Sequence, residues 1–310
     1  MFSVIFPGQG SQSVGMIKDL YNNYTYIRDF FNLADEILGY SISKLILEGP
    51  KEELDLTINT QPAIFLSSFS IFEMIKRESK IKLSDAKYFA GHSLGEYSAL
   101  AATGSLDFES ALKLLYERGK SMQTSVPKGT GGMLAVLGAD IKEISSLLDE
   151  NKNNYKCYIA NDNSKGQIVL SGLNSDIDNI INDLKNKNIK NIKLPVSAPF
   201  HCELMNKATF HMKDKILNAK LQKPNNIIIS NVTASETQHI DEIKELLIKQ
   251  IESPVRWRES VLYMIENGVT NFIEIGPGKV LSGMIKRVAK NLSVNSINSV
   301  DDIKNFKIND

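Results

Sequence analysis

Apolar positions open the chain. "SVIF", Ser3 to Phe6, reads as a short strand that runs at once into the glycine-rich turn "PGQGSQSVG". Helical periodicity returns over 61–78, "AIFLSSFSIFEMI" at its centre, with Pro62 near the expected start. "AKYFAGHSLGEYSALAATG" reads as strand, sharp turn and helix, a second helix follows at 107–125, and "SVPKGTGG" breaks it. From Met133 the rhythm changes. "MLAVLG" predicts a strand, "DIKEISSLLDE" a helix and "YKCYIAN" a strand; after a turn at "DNSKGQ" come strand "IVLSG", helix "SDIDNIINDLKNK" and strand "IKNIKLPV". The order βαββαβ is the ferredoxin-like signature and marks a compact insert at 130–197. Beyond it the strands "NIIISNV" and "NFIEIG" resume the α/β alternation. The expected fold is therefore a large α/β domain over 1–129 and 198–310, carrying a small ferredoxin-like subdomain over 130–197. The closing residues "DDIKNFKIND" read as a frayed tail.

Composition narrows the function classes only modestly. A chain of 310 residues can bury a sizeable core. Lys plus Arg and Asp plus Glu both number 36, so net charge points to neither nucleic acid nor membrane, and a charged partner must meet a local patch. Cys157 and Cys202 stand in no metal-ligand spacing, which argues against a zinc site and fits a reducing compartment. The first strand begins immediately and no apolar run approaches the ~20 residues of a membrane span, so a cytoplasmic location is expected.

Two glycine-rich turns are the candidates for chemistry. The N-terminal one offers Gly8 and Gly10, but Ser13 stands where a dinucleotide fingerprint needs its third glycine, and no G-K-[ST] follows. "GHSLG", Gly91 to Gly95, is a G-x-S-x-G nucleophile elbow between an apolar strand and a small-residue helix. Its glycines permit the strained turn that exposes Ser93, and the Leu94 amide falls at a helix N-terminus where an oxyanion would be stabilised. The competing reading is a plain Gly/Ser turn that caps a helix.

Serine needs a base. Of the four histidines, His92 abuts the elbow and is expected to point away, while His211 and His239 sit in polar helical contexts. His201, in the turn "PVSAPFHCELM" at the junction of the two expected subdomains, is the candidate base. No acid partner stands out downstream of Ser93, so a backbone carbonyl could orient the imidazole instead. Arg118 in "LLYERGKSM" is either an exposed arginine of a helix pair or a guanidinium facing the pocket, with Met122 one turn on.

Together, "FPGQGSQ", "GHSLGEYSAL", "LYERGKSMQ", "PVSAPFHCELM" and "EIGPGKVLSGMIKR" resemble the malonyl-CoA:acyl carrier protein transacylases of fatty acid synthesis, in that family's order and over nearly the whole chain. The resemblance implies an α/β-hydrolase-like core with a ferredoxin-like insert. It implies Ser93 as the acylated nucleophile, His201 as general base and a main-chain carbonyl from Gln250 to orient it. The Gln9 and Leu94 amides would form the oxyanion hole, Arg118 would bind the malonyl carboxylate, and Met122 and Asn161 would line the pocket. Phe200 resembles the bulky residue of malonyl-selective relatives, although the surrounding "SAPFH" departs from their signature. The implied substrates are malonyl-CoA and an acidic acyl carrier protein, with no metal or redox cofactor. Lys279, Lys286, Arg287, Lys190 and Lys193 are the basic residues that could meet the carrier. The residues alone also allow a serine hydrolase that releases free acid, or a silent carrier-docking module.

Overall fold

A computed structural model describes residues 1–196 and 198–306. Its centre is a six-stranded sheet in the order β10-β9-β1-β2-β7-β8, made of β1 (Phe2–Phe6), β2 (Tyr88–Gly91), β7 (Ile227–Ile229), β8 (Glu236–Thr237), β9 (Asn271–Ile275) and β10 (Ser293–Ile297). All neighbours run parallel except the antiparallel pair β7 and β8. Strands buried on both faces explain the continuous apolar runs: β2 is buried at every position, and β1 at every position after Phe2.

The second sheet has the order β4-β5-β3-β6, all antiparallel, from β3 (Gly131–Leu137), β4 (Cys157–Ser164), β5 (Gln167–Leu173) and β6 (Lys190–Lys193). Helices Ile141–Glu150 and Asn174–Asn186 cover one face, burying Ile144, Leu147, Ile177, Ile180 and Leu184 at helical spacing in a separate small core. The predicted turn "DNSKGQ" is mostly strand: β4 runs on to Ser164, and only Lys165 and Gly166 turn. Asp162, Asn163 and Ser164 read as a turn because they are polar, yet all three are buried. Asp162 pairs with Arg258, in helix Trp257–Glu266, at 2.7 Å, and β4 bridges to Val255. The expected boundary at 197 falls on a residue outside those described.

Three other expectations change. Four helices, Lys18–Asn23, Thr25–Leu38, Ile42–Glu48 and Lys51–Leu54, fill the stretch in which no element was expected. The helix expected from 61 starts at Thr57 and runs to Glu78, so Pro62 lies in its second turn rather than at its start. Buried neighbours outweigh the lost i→i−4 bond there. The supposed tail folds as helix Val300–Asn305, capped by Ser299 Oγ, which accepts from Asp302 N–H, and anchored by buried Ile303. Residues 307–310 of that expected tail lie outside the described residues.

The turn after β9 closes over the N-terminal loop. Glu274 accepts from the amides of Leu281 and Ser282, fixing the start of helix Val280–Val288. Gly276 has φ +149° and a Cβ there would lie 2.5 Å from Pro7, so only glycine lets the two loops touch.

Candidate active site

The elbow is built by close approach. A Cβ on Gly91 would lie 1.9 Å from the Gly95 carbonyl carbon, and one on Gly95 would meet the Phe6 carbonyl oxygen at 2.4 Å. Glycine at both positions lets β2 turn sharply into helix Gly95–Ala102, and Ser93 between them is forced to φ +53°. Its amide donates to Asn231 Oδ1 at 2.7 Å, while Asn231 Nδ2 donates to the Gly91 carbonyl, so one side chain pins both ends of the turn.

Ser93 Oγ lies 2.8 Å from His201 Nε2, and His201 Nδ1 lies 2.9 Å from the Gln250 carbonyl oxygen. A carbonyl can only accept, so Nδ1 carries the proton and Nε2 is left to accept from the serine. His201 is itself held at φ +59°, and it is buried. Burial, and then the positive Arg118 nearby, push its imidazole down to about 3.

Arg118 comes from helix Phe108–Thr124 and is 1% exposed, which excludes the surface helix pair. Its Nη1 donates to Gln61 Oε1 at 2.8 Å, and its Nη2 donates to Gln250 Oε1 at 2.8 Å and to Ser93 Oγ at 3.2 Å. No carboxylate forms a salt bridge with it among the described residues. A buried cation held by neutral amides retains its attraction for an incoming anion.

A pocket of about 100 Å³ opens on Ser93 and His201. Gln9, Leu94, Arg118, Met122, Asn161 and Phe200, each expected at the site, all line it. Gln250 does not line it but reaches His201 through its carbonyl. Neither the Gln9 nor the Leu94 amide donates to a described group, so both remain available beside the nucleophile. Gly8 permits this arrangement, because a Cβ there would meet the His92 carbonyl at 2.6 Å. His92, expected to point away, is among the residues lining the pocket, and its ring is engaged elsewhere than Ser93, with Nε2 2.9 Å from Asn163 Oδ1 and the ring 5.8 Å from that of Trp257. His211 and His239 are exposed, as their polar settings suggested.

Sequence reasoning missed a second layer. Gln61, Met133, Leu194 and Val196 complete the pocket. The Gln250 side chain donates to Glu96 Oε2 at 2.7 Å and to the Ser93 carbonyl at 3.2 Å. Burial pushes the Glu96 carboxyl up to about 7. The signal for Gln61 and Glu96 was available: both are polar residues within otherwise apolar helical stretches.

His201 and Glu96 affect stability with opposite sign. Between pH 3 and 6.5 the unfolded chain binds more protons at His201, so this group makes stability fall on acidification. Between 4.5 and 7 the folded chain binds more protons at Glu96, so that group makes stability rise on acidification. From 6.5 to 4.5 the two effects offset. Glu96→Gln removes only the second, and the variant should then lose stability faster than wild type on acidification in this window, by up to about 1.4 kcal/mol per pH unit. Urea unfolding at several pH values measures it; parallel profiles would show that Glu96 titrates alike in folded and unfolded chains.

An α/β fold presenting a serine on a strained elbow, an imidazole 2.8 Å away and two open amides defines a serine acyl-transfer site. The acyl transferase domain family matches residues 3–308. The malonyl CoA-acyl carrier protein transacylase of Bacillus subtilis is 42% identical over 303 residues, 97% of this chain and 94% of that protein. The crystal structure of acyl-carrier-protein-S-malonyltransferase from Bartonella henselae superposes with a TM-score of 0.94 at 36% identity, covering 98% of this chain and 97% of that one. A malonyl-transacylase solved in complex with its type II PKS acyl-carrier protein superposes at 0.93 and 36% identity, covering 98% and 97%. The chain belongs to the acyl transferase family, among the malonyl CoA-acyl carrier protein transacylases.

Proposed function

We propose that this chain transfers the malonyl group from malonyl-CoA to the phosphopantetheine thiol of acyl carrier protein, through a malonyl ester on Ser93, and so supplies fatty acid synthesis. The observation that carries the reading is the buried Arg118 placed 3.2 Å from a serine that is itself paired with His201. His201 Nε2 takes the Ser93 proton as Oγ attacks the thioester carbonyl. The tetrahedral oxyanion is received by the Gln9 and Leu94 amides. As it collapses, the carbon–sulfur bond breaks and His201 returns the proton to the coenzyme A thiolate. The carrier's thiol then attacks the malonyl-serine ester by the same steps in reverse. The Gln250 carbonyl holds the ring tautomer throughout, in the place an acid would otherwise occupy. Arg118 pairs with the malonyl carboxylate through the end of its guanidinium: Nη1 keeps one N–H beyond its bond to Gln61, and Nη2 can exchange its bond to Ser93 Oγ for the substrate. Met122 and Asn161 shape the rest of the acyl site, and bulky Phe200 limits branching beside the thioester.

Base, oxyanion donors and cation all come from the chain, so the reaction needs no metal or redox cofactor. No helix among the described residues is long and apolar enough to cross a membrane. Two free cysteines support a reducing, cytoplasmic setting. In fold terms the reading is an α/β-hydrolase-like domain (1–129 and 198–310) carrying a ferredoxin-like subdomain (130–197). The order β4-β5-β3-β6 supports the latter. Intact mass tests the function directly: the protein should gain one malonyl group from malonyl-CoA and lose it to added acyl carrier protein. Release of free malonate with no acylated carrier would favour the hydrolase instead.

The carrier is acidic, and the basic surface that meets it can be narrowed. Arg287 donates to Gln167 Oε1 at 2.7 Å and Lys193 pairs with Asp178 at 2.5 Å, so both are engaged within the chain. Lys190, Lys279 and Lys286 are exposed and form no salt bridge among the described residues. Reversing Lys279 and Lys286 to Glu should raise the KM for the carrier several-fold and flatten its salt dependence, with malonyl-CoA kinetics unchanged. An unaltered carrier KM at low salt would remove these lysines from the docking surface.

A further inference from the structure

The Arg118 guanidinium is fixed between two side-chain amide oxygens, Gln61 Oε1 and Gln250 Oε1. An amide can present either end, so something must set which one faces the cation. At Gln250 the neighbours leave one solution. Arg118 can only donate and the Ser93 carbonyl can only accept, which places Oε1 toward Arg118 and Nε2 toward Ser93. The Ser93 carbonyl is the weaker holder at 3.2 Å; Glu96 Oε2, at 2.7 Å, is the closer acceptor of the Nε2 hydrogens. Glu96 is 2% exposed, and the same Oε2 is anchored by the Asn231 backbone amide at 3.1 Å. It makes no direct bond to Arg118.

We infer that Glu96 is a positioning residue for acyl-group selectivity: by anchoring the Gln250 amide it aims Arg118 at the acyl pocket while leaving the guanidinium without a carboxylate partner of its own. A carboxylate in direct contact with Arg118 would hold it as firmly but would neutralise it and compete with the substrate's carboxylate. An amide interposed between the two keeps the aim and spares the charge. What Glu96 supplies is therefore an acceptor rather than a negative charge, and a neutral carboxamide at position 96 can do the same work. This inference rests on Arg118 as the malonyl ligand.

The test is kcat/KM for malonyl-CoA and for acetyl-CoA in wild type, Glu96→Gln and Glu96→Met. Glu96→Met removes the acceptor at similar volume, frees the Gln250 amide to turn, and should lower the malonyl-to-acetyl ratio at least ~10-fold, mainly through the malonyl KM. Glu96→Gln should keep the ratio within about threefold of wild type. Gln250→Leu should reproduce the loss in ratio, and joining it to Glu96→Met should add little, since both act through one bond. Should Glu96→Met fail to fold, Gln250→Leu and Glu96→Gln still decide the matter. An unchanged ratio in Glu96→Met or in Gln250→Leu would overturn the inference. So would equal losses for both thioesters, or a Glu96→Gln protein as impaired as Glu96→Met. A wild-type protein that forms no malonyl-serine would instead sink the proposed function, before any variant is compared.

Discussion

Ser93→Ala protein mixed with malonyl-CoA is expected to gain no malonyl mass and to transfer none to carrier, a loss of at least about 10⁴-fold. The size follows from the route: without Oγ, one acyl transfer can no longer be divided into two easier steps. His201→Ala should lose less, about 10²–10⁴-fold in acylation, because the oxyanion donors and the serine survive. The two variants differ in a second way. Ser93 and alanine face the same positive φ, so Ser93→Ala keeps the elbow's strain and its fold, whereas His201→Ala empties a buried site. Circular dichroism and thermal melting separate the chemical loss from any structural one. A folded Ser93→Ala protein that still acquired a malonyl group would place the nucleophile elsewhere.

The parts of this site legible in the sequence are those encoded over a few neighbouring residues. Gly91, Ser93 and Gly95 announce the elbow because the strain is local, and a Cβ at either glycine would strike backbone within the same turn or on β1. The βαββαβ order was likewise readable, since each strand and helix of the insert carries its own period. Arg118 was not settled by pattern. Whether a helical arginine is buried depends on partners 57 and 132 residues away, Gln61 and Gln250, and only resemblance chose between the exposed and the pocket-facing reading. The same distance hid Glu96, whose bonds run to residues 135 and 154 positions on. Polar residues in β4 misled for the opposite reason. A buried polar strand looks like a loop until the sheet edge, the His92 ring and Arg258 that satisfy it are in view.

Arg118→Ala should depress malonyl transfer by at least ~10²-fold, about 2.7 kcal/mol in transition-state terms, while acetyl transfer stays level or rises. Malonyl differs from acetyl by one carboxylate, which enters a pocket where the guanidinium is 1% exposed and has no anionic partner among the described residues. Without the cation that anion is desolvated and unpaired, the costly case for a buried charge. Acetyl has no carboxylate to leave unpaired, and one effect of the change favours it. The positive Arg118 is the second cause, after burial, of the lowered His201 value, so its removal leaves a more basic imidazole. One effect runs the other way: Arg118 Nη2 donates to Ser93 Oγ and would steady an alkoxide, so acetyl transfer should not rise far. Arg118→Lys should recover part of the malonyl activity, because an ammonium supplies charge but not two parallel bonds. Truncation also leaves Gln61 and Gln250 oxygens unbonded, and Arg118→Met, which fills the space without charge, controls for that disturbance. The measurement is kcat/KM for both thioesters across the four proteins. If malonyl and acetyl fall together in Arg118→Met, the residue supports the elbow rather than reading the acyl group.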